Sequence, residues 1–185
     1  MDVCVILAGG MSSRMKRDKT LLKFSSFASL THYQYAKFKP YFKEIFISAK
    51  EQKFSPPLPL IKDSFSDYSP MGALYSILSN FKERRVFIIC ADMPFVEIKS
   101  VELLFKQGKE YDIYVAADDE FSHSLCGFYS GSVARIAKKL YENGEHQVSK
   151  LFKECSFGEY KFQNKEQFFN INYPNDYQVA IQGNL

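Results

Sequence analysis

Residues 2–19 read DVCVILAGGMSSRMKRDK. The run from Val3 to Leu7 is apolar, unbroken and rich in β-branched side chains, the composition of a strand buried on both faces of a sheet. It leaves through Gly9 and Gly10 and then gathers Arg14, Lys16, Arg17 and Lys19 within six positions. Adjacent glycines allow positive φ and close approach of another group, and four crowded cations repel one another unless an anion sits among them. A solvated basic turn would account for the charges alone. The position at the carboxyl end of a first strand, where open α/β sheets bind their ligands, points instead to a phosphate-rich ligand. The loop lacks the third glycine of G-x-G-x-x-G, and the chain has no G-x-x-x-x-G-K-[ST], so it is neither a dinucleotide fingerprint nor a P-loop.

Outward from this stretch, strand-like runs at EIFISAK, LPLIKD and RVFIICAD alternate with amphipathic helical stretches over 29–42 and 71–81. A third helix is expected after Pro94, followed by a strand at YDIYVAA and an extended segment over 122–129. This βαβ rhythm predicts an α/β fold with a mostly parallel sheet covered on both faces. Val133, Ile136, Ala137, Leu140 and Tyr141 then place one apolar stripe on a helix that Gly144 can end in a left-handed cap. EYKF and FFNIN read as strands, and Pro174 opens a last helix. No repeat or low-complexity segment interrupts the chain, and SPPLP is too short to separate domains, so residues 1–185 form one expected domain.

The 185 residues are 46% hydrophobic with net charge +3. The first 50 hold nine cations (Arg14, Lys16, Arg17, Lys19, Lys23, Lys37, Lys39, Lys43, Lys50) against Asp2, Asp18 and Glu44. So local an excess suits a compact anion better than a nucleic-acid track. Cys4, Cys90, Cys126 and Cys155 form no C-x-x-C pair, which favours a reduced, cytoplasmic setting and argues against structural zinc. The apolar start is too short to span a membrane and has no export pattern, so no membrane partner is expected.

Three further places carry candidate chemistry. RVFIICADMP delivers Asp92 to a strand's carboxyl edge, where one carboxylate with waters and phosphate oxygens can hold Mg²⁺, although Asp also suits the turn before Pro94. Asp63 closes LPLIKD in the same way, ahead of the helix opening at SPMGA. Asn170 and Asn172 in NINYPND would share one strand face, with amides suited to polar ligands, or would serve as turn formers. His123 reads as a half-buried side chain rather than a catalyst, and Asp118, Asp119 and Glu120 as a solvated acidic turn.

Taken together, LAGGMSSRMKRDKTLL, the Asp63 segment, SPMGAL, CADMP, HSLCGFY and NINYPND resemble, in order and over nearly the whole chain, the MobA-type molybdenum cofactor guanylyltransferases. The resemblance implies a three-layer, Rossmann-like nucleotidyltransferase fold, Mg²⁺ as cofactor, and GTP and Mo-molybdopterin as substrates, with transient contact to cofactor-synthesis or molybdoenzyme-maturation proteins. By position it implies that Leu7, Ala8, Gly9 and Gly10 line the nucleotide, that Lys19 and Asp63 contact it, and that Asp92 holds Mg²⁺. Arg14 matches a motif arginine near the reacting phosphates, Ser48 stands where relatives place a nucleotide-contacting Asn, and Asn170 and Asn172 match a pair on the acceptor side. The chain departs from the pattern at Lys16 (usually Gly), Ser69 (Gly), Ser124 (Pro) and His146-Gln147 (Arg). Rival readings are a cytidylyl- or sugar-phosphate nucleotidyltransferase and a nucleotide-binding regulatory module without turnover.

Overall fold

The computed structural model describes residues 1–10 and 12–183. Seven strands form one sheet: β1 (Val3–Leu7), β2 (Glu44–Ala49), β3 (Leu60–Lys62), β4 (Arg85–Cys90), β5 (Ile113–Ala117), β6 (Ser122–Ser130) and β7 (Phe157–Lys161), in spatial order β3-β2-β1-β4-β6-β5-β7. β6 runs antiparallel to both neighbours and every other pairing is parallel. Parallel neighbours need crossover connections. Helices supply most of them: α1 (Leu30–Phe38), α2 (Pro70–Leu78), α3 (Ile98–Gln107) and α4 (Ala134–Glu142), with α5 (Pro174–Gln182) closing the described chain.

Alternation along the central strands builds two cores. Cys4, Ile6, Phe87 and Ile89 face one side with Phe38 of α1 and Val101 and Leu104 of α3. Val3, Val5, Val86 and Ile88 face the other with Leu74 and Ile77 of α2 and Ala137 of α4. All eight strand residues are fully buried, so truncating one, Ile88→Ala for instance, removes packing of a kind that costs about 2–5 kcal/mol. The result is a three-layer α/β sandwich, as the strand and helix pattern predicts.

Local signals explain several ends. Ser29 and Ser69 cap α1 and α2, their hydroxyls accepting from the backbone N–H of His32 and Gly72. Gly144, just past α4, takes the left-handed conformation at φ 83°. α1 stops at Phe38, short of the expected Phe42, because Pro40 follows at once.

Two expectations are corrected. FFNIN is not a strand: a 3-10 turn covers Glu166–Phe168, and the chain then crosses the carboxyl edge of the sheet, where the N–H of Ile171 donates to the carbonyl of Asp92 (2.9 Å). Asp118 is not solvated. Its side chain is buried, accepts from the N–H groups of Glu120 and Phe121 (both 2.8 Å), and pairs with His123, whose ring stacks on Phe168. A short turn following a fully buried strand needs an acceptor for its inward-pointing N–H groups, and Asp118 supplies it.

Candidate active site

The parallel register brings four strand ends to one level. Beyond the regular ladders, Ala8 N–H donates to the Ser48 carbonyl (2.9 Å), Asp63 N–H to Ala49 (3.1 Å) and Ala91 N–H to Leu7 (3.0 Å). Residues 8, 49, 63 and 91 are thereby fixed side by side at the carboxyl edge, the place where parallel sheets open toward ligands. Two adjoining hollows of about 700 and 730 Å³ lie there, sharing Gly9, Gly10 and Tyr68. Leu7, Pro70, Ala73 and Leu125 give the first an apolar lining, with Lys19, Ser48, Asp63 and Asp92 at its polar side. The second is lined by Lys16, Arg17, Lys50 and Lys53.

The glycine pair serves the hollow itself. A Cβ on Gly10 would meet nothing within 4 Å, and one on Gly9 would make only ordinary contacts at 3.8 Å. The left-handed backbone of the loop falls on Ser12 (φ 49°) and Lys16 (φ 55°). Neither packing nor strain therefore demands glycine at 9 and 10, which leaves room for a ligand against bare backbone as the physical reason.

Asp92 and Lys19 form the centre of the polar side. One Asp92 oxygen, Oδ2, accepts from Lys19 Nζ, and Lys19 donates again to Asn172 Oδ1 (2.9 Å). The other oxygen, Oδ1, is buried and has no hydrogen-bond partner. Buried carboxylate oxygens are rarely left so. The turn that carries Asp92 is held from α1: the fully buried Gln34 donates to the carbonyls of Met93 (2.7 Å) and Cys90 (3.4 Å), and Lys37, which burial lowers to about 8, donates to Pro94 (2.7 Å). Burial, with the nearby Asp92 charge added, pushes the Cys90 thiol well above its ordinary pKa, so this cleft-lining cysteine is no nucleophile.

Asp63 is wired differently. Its Oδ2 accepts from Lys50 (2.9 Å), and its Oδ1 from Ser76 Oγ (3.0 Å) and Phe65 N–H (3.3 Å). Lys50 donates also to the carbonyls of Phe65 and Asp67, which uses all three of its protons. Tyr141 donates to Asp67 (3.0 Å), and His146, one of the departures from the resemblance, bonds Ser69 Oγ (2.8 Å). The segment from Asp63 to Ser69 is thus buckled down along its length.

Of the residues expected at the site, Leu7, Gly9, Gly10, Lys19, Ser48, Asp63 and Asp92 line the first hollow, and Asn172 joins them through Lys19. The Ala8 carbonyl accepts from Lys53 (2.8 Å), which also pairs with Asp18 (2.5 Å). Arg14 lies outside both hollows, its guanidinium over the ring of Tyr173 at 5.7 Å. Asn170 turns its amide to the Phe168 carbonyl (3.0 Å), whereas Asn172 turns its own to Lys19. The sequence pattern assigns no role to Gln34, Lys50, Lys53 or Tyr68. Lys50 and Lys53 follow β2 directly in the sequence, as the basic loop follows β1, and that parallel placement was the available signal. Among the described residues no group of three or more His, Cys, Asp or Glu could hold a metal, so a cation here would depend on one carboxylate and on ligand oxygens.

The family model for the MobA-like NTP transferase domain matches residues 4–159. The chain belongs to the MobA-like NTP transferase family. Among its relatives, a protein of Campylobacter jejuni subsp. doylei named molybdenum cofactor guanylyltransferase is 43% identical over 95% of this chain and 93% of its own length. One of Helicobacter pylori with the same name is 28% identical over 97% and 91%. In structure, the molybdopterin-guanine dinucleotide biosynthesis protein A of Archaeoglobus fulgidus superposes with a TM-score of 0.83 at 22% identity, covering 98% of this chain and 97% of that one. A 2-C-methyl-D-erythritol 4-phosphate cytidylyltransferase of Thermus thermophilus reaches 0.73 at 14% identity, with 98% of each chain covered. The fold is therefore shared with proteins of different names.

Proposed function

We propose that this protein is a molybdenum cofactor guanylyltransferase, which transfers GMP from GTP to Mo-molybdopterin and releases pyrophosphate. The observation that carries the reading is Asp92, with one oxygen on Lys19 and the other buried and unpartnered, in a cleft whose glycines leave room against the backbone. The family's relatives named for this activity, 43% identical in one case, support it. The cytidylyltransferases among its structural neighbours are 14% and 15% identical, a likeness of fold alone. The four free cysteines are in keeping with a cytoplasmic enzyme.

In this reading an oxygen of the acceptor's phosphate attacks the α-phosphorus of GTP in line. The new P–O bond forms as the bond to the β-phosphate bridging oxygen breaks, and pyrophosphate leaves with that electron pair. Asp92 fits Mg²⁺ in the mode that uses a single protein carboxylate, since its free Oδ1 is an unused ligand atom. Bound there, Mg²⁺ would neutralise phosphate charge. Lys19 adds a fixed positive charge beside Asp92, and Asn172 orients it. Lys16, Arg17 and Lys53 line the neighbouring hollow and would receive the other phosphates. No side chain has to form a covalent bond, so positioning and electrostatics supply the acceleration.

The test is pyrophosphate release with Mg²⁺, molybdopterin-type acceptor and each of GTP, CTP, ATP and UTP. GTP is expected to turn over fastest by at least an order of magnitude, and the guanine dinucleotide should accumulate. Equal or faster turnover with CTP rules out the guanylyl assignment, and binding of GTP without pyrophosphate release with any nucleotide selects the regulatory alternative.

A further inference from the structure

Tyr68 stands where the two hollows meet and lines both; it is the one aromatic side chain lining either of them among the described residues. It is 52% exposed, unusual for so large a side chain beside a packed helix end. Mobility does not explain that exposure, because its neighbours on both sides are fastened. Asp67 accepts from Tyr141, and Ser69 bonds His146 while capping α2. The ring itself lies under the ammonium group of Lys50, 5.4 Å from the centroid, and Lys50 is immobilised by its three acceptors. One face of the ring is therefore occupied by a fixed cation. Its hydroxyl makes no hydrogen bond among the described residues.

We propose that Tyr68 is the stacking platform for the nucleobase of the bound nucleotide, an inference that rests on the nucleotide-binding reading of the same cleft. A nucleobase is a flat, polarisable ring that gains most from a second ring held in place before binding, because little ordering entropy is then lost. Among the described residues no other aromatic ring lines the cleft, and the apolar side chains of Leu7, Pro70 and Leu125 line the same hollow. Such stacking is tolerant of base identity, so Tyr68 contributes affinity for nucleotides as a class. Discrimination among bases must come from other groups.

The chain contains no tryptophan, so Tyr68→Trp places a single, selectively excitable tryptophan at the proposed platform. Its emission should be quenched by GTP and by CTP, and left unchanged by inorganic tripolyphosphate, which offers the phosphates without a base. By calorimetry, Tyr68→Ala should weaken GTP binding about tenfold or more. Tyr68→Phe should bind like the parent, and tripolyphosphate should bind parent and Tyr68→Ala equally. Thermal melts confirm that each variant is folded. If the parent binds GTP and Tyr68→Ala matches it within twofold, or if the Trp variant responds to tripolyphosphate as it does to GTP, the stacking proposal is wrong while the nucleotide reading stands. If the parent binds tripolyphosphate but gains nothing from a base, both fall.

Discussion

Two lysine–aspartate pairs sit at the carboxyl edge of the same sheet, their aspartates lining one hollow, yet their wiring is opposite. In Lys50–Asp63 both carboxylate oxygens accept, Oδ1 twice, and all three ammonium protons are placed. In Lys19–Asp92 one carboxylate oxygen is buried without a partner, and the lysine has two partners instead of three. A pair so fully engaged buckles the segment from Asp63 to Ser69 down and leaves a ligand about one of the roughly four acceptor sites of the carboxylate. The unsaturated pair carries the cost of a buried, unpaired oxygen, and a native protein tolerates that cost where a ligand or ion relieves it. Residue type and strand position alone make the two aspartates look equivalent; the difference lies in which donors surround each one.

The largest effect expected from this contrast is on catalysis at Asp92. Asp92→Asn keeps the size of the side chain and its turn-forming ability while removing the charge that pairs with Lys19 and that a hard divalent cation would need. Pyrophosphate release at saturating Mg²⁺ should fall about a hundredfold or more, the scale of one lost electrostatic contact in a transition state. The thermal midpoint should move little. A folded variant within about threefold of the parent rate would make Asp92 a turn former, like many aspartates before proline, and would dissolve the contrast.

Asp63→Asn should act the other way round. Three donors converge on the carboxylate, one of them the ammonium of Lys50, and hydrogen bonds to charged groups contribute about 1.5–3 kcal/mol. For a chain of this size that corresponds to a midpoint lowered by roughly 3–12 °C. GTP affinity should fall only as far as the loosened Asp63–Ser69 segment misplaces its neighbours. An unchanged midpoint with GTP binding lost tenfold would show that Asp63 grips the nucleotide directly, and that the two pairs are functional equivalents.

The legibility of the molecule follows the same division. The layers were readable because the unbroken apolar runs over 3–7 and 86–90 reflect burial on both faces of a sheet, a property of each residue separately. Asp92 was readable because an acid that ends an apolar strand stands out against its background. Asp63 stood out for the same reason, but its donors Ser76 and Lys50 lie 13 positions away on opposite sides, and no local pattern links them. Gln34 reads as an ordinary polar helix residue; its burial against the Asp92 turn is set by how α1 docks on the sheet. FFNIN carries strand composition, yet β7 already occupies that edge of the sheet and the chain passes over the strand ends instead, where Ile171 finds its acceptor in Asp92. Tertiary context overrides β propensity most easily in short segments of this kind.

Lys16 sharpens the comparison with a third lysine that has no carboxylate partner among the described residues. It is exposed, lines the cationic hollow, and sits at φ 55°, a left-handed conformation that costs a residue with a Cβ about 1–2 kcal/mol. The family pattern that the loop resembles has glycine there, which adopts that conformation freely but loses more freedom on folding. Lys16→Gly removes the first cost and adds the second, about 0.5–1 kcal/mol, so the midpoint should rise by no more than a few degrees. The compensating loss is one positive charge facing the phosphates. GTP should bind the variant a few-fold more weakly at low ionic strength, and the gap should close as salt is raised, because an exposed charge is screened within about 10 Å at 0.1 M. If parent and variant share one salt dependence, the Lys16 ammonium points to solvent, and its strained backbone has no electrostatic return. If the variant is instead less stable than the parent, the left-handed turn is held by its surroundings strongly enough that Cβ strain does not limit it.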